Sequence, residues 1–196
     1  MTDPRIERWL EALVRTPGLT AVRDPVKARR LHVDESLEAL ETVERFEGSI
    51  VDVGSGGGAP GIPLAAALPL REVTLLESHR RTCDFLEGWT REFPNLRVVC
   101  GRAEEQPVDS YGVAVAKALA PPPVAAEWCL PLVAPGGAAV LFVGPSAEAE
   151  RVAAVAERLA AELVDSPPGM FVLQKLGATP GGFPRRPGIA RKRPLA

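Results

Sequence analysis

From residue 49 onward, short apolar runs alternate with helix-like stretches: SIVDV, PGIPLAAAL, EVTLL, RRTCDFLEGWTREF and LRVVC, with YGVAVA and AAVLFV further on. No other feature restricts the fold as strongly. Strands alternating with helices require βαβ units and a mostly parallel sheet. The strand runs are continuously apolar, as strands covered by helices on both faces must be. The Ala- and Glu-rich stretch from Ala147 to Leu163 predicts a helix, and FVLQKL, from Phe171 to Leu176, a late strand. PPP at 121–123 reads as a rigid loop and PGG at 135–137 as a turn before a strand.

Ahead of this core, residues 5–15 carry Ile6, Trp9, Leu10, Leu13 and Val14 on one side of a helix that Pro17 and Gly18 stop. Residues 33–46 repeat the pattern with Val33, Leu37, Leu40, Val43 and Phe46. The expected organisation is an N-terminal helical layer over residues 1–47, a ligand-binding core over 48–178 and a basic tail over 179–196. With 46% apolar residues the chain has enough material for one globular core. No run approaches a membrane span, and the N-terminus lacks a signal-peptide core, so a cytoplasmic protein is expected. Cys83, Cys100 and Cys129 form no CxxC pair, which predicts three reduced thiols and no metal site.

The net charge of −2 conceals an asymmetry. No acid follows Asp165, and the last 31 residues hold six cations: Lys175, Arg185, Arg186, Arg191, Lys192 and Arg193. An acidic body with a basic end suggests a polyanionic partner met at one edge.

The first strand leads into VDVGSGGGAPG, residues 51–61, a loop of the kind that lets backbone approach a nucleotide. Gly56, Gly58 and Gly61 match the dinucleotide spacing GxGxxG, a weak signal in a chain with 18 glycines. Two residues argue against a pyrophosphate. Asp52 would repel a diphosphate, whereas it would attract the cationic groups of S-adenosylmethionine (SAM). Pro60 removes an N–H donor from the start of the next helix, which weakens anion binding. Glu77 ends the second strand, where an acid accepts hydrogen bonds from ribose hydroxyls of either NAD or SAM. An NAD-dependent oxidoreductase and a non-catalytic RNA-binding or assembly protein are the alternatives to a SAM-dependent enzyme.

Taken together, the motifs resemble the bacterial 16S rRNA guanine-N7 methyltransferases, the RsmG family, once called glucose-inhibited division protein B. LTAVRD at 19–24 and LHVDESL at 31–37 are similar to the family's N-terminal signature. DVGSGGGAPGIPLA at 52–65, LLESHRRTCDFL at 75–86, GRAEE at 101–105 and FPRRPGIARKRPL at 183–195 follow in the family's order. The resemblance implies a class I SAM-dependent methyltransferase fold, a Rossmann-like α/β architecture with a mostly parallel seven-stranded sheet. It implies that Gly54 and Ala59 in the loop, and Ala103 and Glu104 after the third strand, contact SAM. With Asp52, Ser55, Gly56, Gly58, Glu77 and Lys117 these make up the expected cofactor set. The chain departs from the family at Ala59, where a larger apolar residue is usual, at Lys117, where arginine is usual, and at LFVGPS, which replaces a lysine-glycine pair.

The same resemblance implies 16S rRNA or the small ribosomal subunit as partner. Arg185, Arg186, Arg191, Lys192 and Arg193 are the expected RNA-binding residues. Nothing in the sequence demands more than a monomer. Guanine N7 carries no proton to remove, so no general base is required and no catalytic residue is assigned. His32 is expected to be a hydrogen-bonded structural residue and His79 a helix-start or ribose-side residue.

Overall fold

The computed structural model describes residues 3–196. Seven strands form one sheet: β1 Ile50–Val53, β2 Val73–Glu77, β3 Leu96–Cys100, β4 Tyr111–Lys117, β5 Val133–Phe142, β6 Ala161–Val164 and β7 Met170–Lys175. Their order across the sheet is β3-β2-β1-β4-β5-β7-β6. The first five run parallel; β7 enters antiparallel between β5 and β6. β1 lies between β2 and β4, so chain connections leave it in opposite directions. That is the switch point at which open α/β sheets bind ligands.

Alternate residues of the strands feed two cores, one on each face. Ile50, Val73, Leu75, Val113 and Val115 pack beneath the N-terminal helices, with Trp9, Leu10, Leu13 and Ile62. Val51, Val53, Leu76, Ala114 and Leu141 face Trp128, Leu132, Val152 and Val155 on the other side. This two-sided burial explains the uninterrupted apolar runs.

Helix α1 (Pro4–Arg15) starts where Asp3 accepts the Arg5 N–H at 2.9 Å and Pro4 occupies the first turn. The expected helix over 33–46 is corrected to a broken series: α2 (Pro25–Arg29), a π turn (Arg30–Asp34), α3 (Glu35–Leu37) and α4 (Leu40–Glu44). Asp24 and Pro25 nucleate it eight residues earlier than Val33. His32 sits in the π turn, half-buried, with Nε2 at 3.0 Å from Thr20 Oγ1.

The core helices are α5 (Gly61–Ala67), α6 (Arg80–Glu87), α7 (Pro122–Cys129) and α8 (Ala149–Arg158). The helix expected through Leu163 stops at Arg158, because Ala160 adopts φ 54° and turns the chain into β6. Pro122 opens α7, so PPP is a helix start as well as a loop. PGG lies inside β5, opposite a register shift at Tyr111/Val113. The late strand stands as expected, as β7.

Three side chains behave unlike their sequence reading. Cys83 and Cys100 are joined as a disulfide, correcting the expectation of three free thiols; only Cys129 is free, and it is buried. Their separation of 17 residues gives no pairing signal, whereas the packing of α6 on β3 brings the two together. Lys175 is a fully buried cation that donates to Leu130 O and Thr179 Oγ1, each at 2.8 Å, with Asp109 Oδ1 at 3.5 Å. Among the described residues no helix is long and apolar enough to cross a membrane.

Candidate cofactor site

A cavity of about 360 Å³ opens at the carboxyl ends of β1, β2 and β4. Val53 and Gly54 form one side, Leu76, Glu77, Ser78 and His79 the floor, and Gly101, Arg102, Ala103 and Glu104 a second side. Ala118, Leu119, Trp128, Gly188 and Arg191 complete it.

Glu77 is the best-fixed polar group in this wall. Its Oε2 accepts the Gly56 N–H at 3.0 Å, and its Oε1 accepts the Ser78 and His79 N–H groups at 2.7 and 2.8 Å. Three backbone donors hold the carboxylate in one orientation, only 8% exposed, with one lone pair of Oε2 left for a ligand hydroxyl. Gly56 reaches Glu77 only because the loop turns through positive φ at Gly54 (69°) and Gly56 (51°). At Gly54 a Cβ would stand 2.2 Å from Leu119 Cδ1, so a side chain there collides with the opposite wall.

Asp52 stands elsewhere than the sequence suggested. It is fully buried beneath the loop, where its Oδ2 accepts the Gly61 N–H at 2.9 Å. Its Oδ1 has no partner, and burial pushes its pKa up to about 7. It therefore closes the N-terminus of α5 instead of meeting the cavity. The other donors of that terminus are also taken or missing. Ile62 N–H bonds Gly58 O at 2.7 Å, while Pro60 and Pro63 have no N–H. No amide of this helix start is free for a pyrophosphate, which is the physical argument against a dinucleotide.

Gly54, Glu77, Ala103 and Glu104 of the expected set line the cavity, and Gly56 touches it through its bond to Glu77. Ser55 is buried with Oγ on Asp52 O at 2.8 Å. Gly58 lies under α1, where a Cβ would meet Ile62 Cδ1 at 2.5 Å and Trp9 Nε1 at 3.2 Å. Ala59 packs on the core of the N-terminal face. Lys117 turns toward the N-terminal helices, pairing with Glu35 at 3.1 Å and bonding Leu31 O. These residues shape the loop and its support without lining the cavity.

The basic end is also redistributed. Arg185 forks onto Glu127 at 2.5 and 2.6 Å, and Arg191 lies 5.1 Å from the Trp128 ring centre. Arg186, Lys192 and Arg193 remain exposed on the surface. Sequence reasoning missed Leu119 and Trp128, which the fold brings in from segments no local motif marks, and Gly188, which sits in the FPRRPG motif but was not assigned to the cofactor.

Sheet order, the antiparallel β7 and a pocket at the β1/β4 switch point define the class I SAM-dependent methyltransferase fold. A SAM-dependent O-methyltransferase from Thermotoga maritima superposes with a TM-score of 0.59 at 16% identity, covering 84% of this chain and 73% of that one. The T. thermophilus 16S rRNA N2 G1207 methyltransferase, solved with AdoMet and guanosine, gives 0.58 at 21% identity over 87% of this chain and 47% of that one. Within that class the chain belongs to the GidB family, rRNA small subunit methyltransferase G, whose sequence profile matches residues 5–167. The ribosomal RNA small subunit methyltransferase G of Synechococcus elongatus is 36% identical over 91% of this chain and 82% of the relative. That of Thermotoga neapolitana is 37% identical over 96% and 89%.

Proposed function

We propose that the protein is a SAM-dependent methyltransferase of 16S rRNA that modifies N7 of a guanine, acting in the cytoplasm as a monomer on the rRNA or the small subunit. Family membership supports the rRNA substrate. The observation that carries the cofactor reading is Glu77, locked by three N–H groups at the cavity floor beside a helix start with no free amide. Such a wall suits a ribose diol and offers nothing to a diphosphate, so an NAD-dependent oxidoreductase is the poorer reading.

Bound SAM supplies an electrophilic methyl group on a sulfonium. The chain's own task is placement. Glu77 accepts from a ribose hydroxyl, Ala103 leaves room for the adenine ring, and Glu104 stands at its edge. Gly54 lets the ligand lie close to the backbone. Asp52, Ser55, Gly58, Ala59 and Lys117 act behind this surface, fixing the loop against α1 and the N-terminal helices. N7 has a free lone pair and no proton, so holding the guanine in line with the methyl group and excluding water supplies much of the rate.

In this reading residues 1–47 and 179–196 are extensions of the 48–178 core. Arg186, Lys192 and Arg193 supply phosphate contacts on the outside of the C-terminal segment, with Arg185 and Arg191 holding that segment in place. The test is methyl transfer from labelled SAM to small-subunit particles lacking this modification, with the product base identified by mass. Label at guanine N7 is expected. Tight SAM binding with no transfer to rRNA or particles would favour the non-catalytic assembly role.

A further inference from the structure

We infer that the C-terminal segment Phe183–Arg193 is a wall of the cofactor pocket, with Arg191 as a cofactor-binding residue packed against the adenosyl end of the ligand. The inference rests on the SAM reading of the cavity and adds to it a residue set that lies outside the glycine loop and the GRAEE element.

Three contacts fix the segment. Arg185 makes a two-pronged ion pair with Glu127, which is 3% exposed in the middle of α7. Its Nη2 also donates to Arg193 O at 2.8 Å, tying the two ends of the segment together. Gly188 N–H donates to Glu104 Oε1 at 3.1 Å, directly across the cavity rim. Between these anchors a short helix, α9 (Ile189–Lys192), buries Ala190 against the same core as Trp128. Arg191 is thereby laid over Trp128, with its Nη2 3.4 Å from Leu119 O.

The consequence is chemical as well as geometric. Gly188 and Arg191 are cavity-lining residues, opposite Ala103 and Glu104. A guanidinium lying 5.1 Å from the Trp128 ring centre and lining the cavity offers it positive charge and a planar group, for which a purine ring is a suitable partner. Glu104 has one oxygen engaged by Gly188 and one left for an exocyclic amine. The adenine is then held between the strand-end loop and a strap from the far end of the chain.

Calorimetric titration of S-adenosylhomocysteine into the full-length wild type, Arg191→Ala and Lys192→Ala, all without RNA, separates the possibilities. Each variant removes one exposed cation from adjacent positions, but only Arg191 lines the cavity. Arg191→Ala is expected to weaken binding about fivefold or more, and Lys192→Ala to leave it within about twofold. Equal losses would mean a bulk charge effect, no loss would mean no contact, and tighter binding to Arg191→Ala would mean a lid; each overturns the wall. Absence of binding to the wild type would refute the SAM reading itself, whereas wild-type binding without a difference between variants refutes the wall alone. Saturating S-adenosylhomocysteine should also slow tryptic cleavage after Arg191 and Lys192, and unchanged cleavage counts against the inference. Glu127→Gln should weaken binding in the same direction as Arg191→Ala. Should that variant fail to fold, the paired surface variants still decide.

Discussion

Asp52 shows how a residue can be singled out correctly and assigned the wrong neighbour. Its place two residues before the first loop glycine marks it as important, and it is, but as the closure of α5. Burial raises its pKa from 3.8 to about 7. A raised pKa means the folded protein favours the protonated form. The group costs nothing below about pH 4, costs progressively more between pH 4 and 7, where the unfolded chain is ionised and the folded one is not, and adds no further cost above 7, where both are ionised. Asp52→Asn should remove that slope. Urea unfolding at pH 5 and pH 8 should show the variant gaining on the wild type at the higher pH, by a difference on the order of 3 kcal/mol. An unchanged slope would mean that the carboxylate is ionised in its site. Gly54 is a second residue-scale test. Gly54→Ala places a Cβ against Leu119 at positive φ, so S-adenosylhomocysteine affinity should fall about tenfold or more. Folding should suffer only about 1–2 kcal/mol of backbone strain, measurable by calorimetry alongside the titration.

At the scale of elements, the glycine loop depends on α1 for its shape. Trp9 is fully buried and its Nε1 donates to Gly57 O at 2.9 Å, while a Cβ at Gly57 would strike Leu13 Cδ1 at 2.2 Å. Gly57 is thus explained by a helix packed on it, and not by a ligand. Trp9→Phe keeps an aromatic ring but removes the pyrrole half of a fully buried indole together with its N–H, leaving a void and Gly57 O unpaired, which should lower stability by about 2–4 kcal/mol in urea titration. Stability within error of the wild type would show that the bond contributes nothing. The periodicity of α1 was legible because Ile6, Trp9, Leu10 and Leu13 all meet the core. The broken series α2–α4 was not, because its kinks follow from tertiary contacts such as the Lys117–Glu35 pair and not from any local breaker. β6 was hidden for a related reason: its AELV sequence continues a good helix pattern, and only pairing with β7 makes it a strand.

For the whole molecule, the charge asymmetry survives folding in reduced form. Of the six late cations, Lys175 is buried, Arg185 is committed to Glu127 and Arg191 lies on Trp128. Arg186, Lys192 and Arg193 are left to meet a polyanion. Arg186→Ala combined with Lys192→Ala should weaken RNA binding and reduce the slope of log affinity against log salt by about 1–1.5. Filter binding over a salt series measures it, and a parallel shift with no change of slope would place the RNA elsewhere. Because the same segment borders the cavity, the proposed function puts RNA and cofactor on two sides of one structural element.

The sequence by itself determined the architecture. Continuous apolar runs separated by amphipathic segments admit a covered parallel sheet and little else, and the ordered motifs from LTAVRD to FPRRPG single out the family. It also pointed to the loop's ligand class through Pro60, which leaves the helix start without a free amide, whereas the role it gave Asp52 beside the ligand did not survive that residue's burial under α5. Tertiary structure decided which of the marked residues face the cavity. Whether Asp52 points at a ligand or at the Gly61 amide, or Lys117 at the pocket or at Glu35, depends on side-chain directions set by packing. The Cys83–Cys100 pairing and the Glu127–Arg185 clamp depend on contacts between segments far apart in the chain, and local spacing carries no information about those.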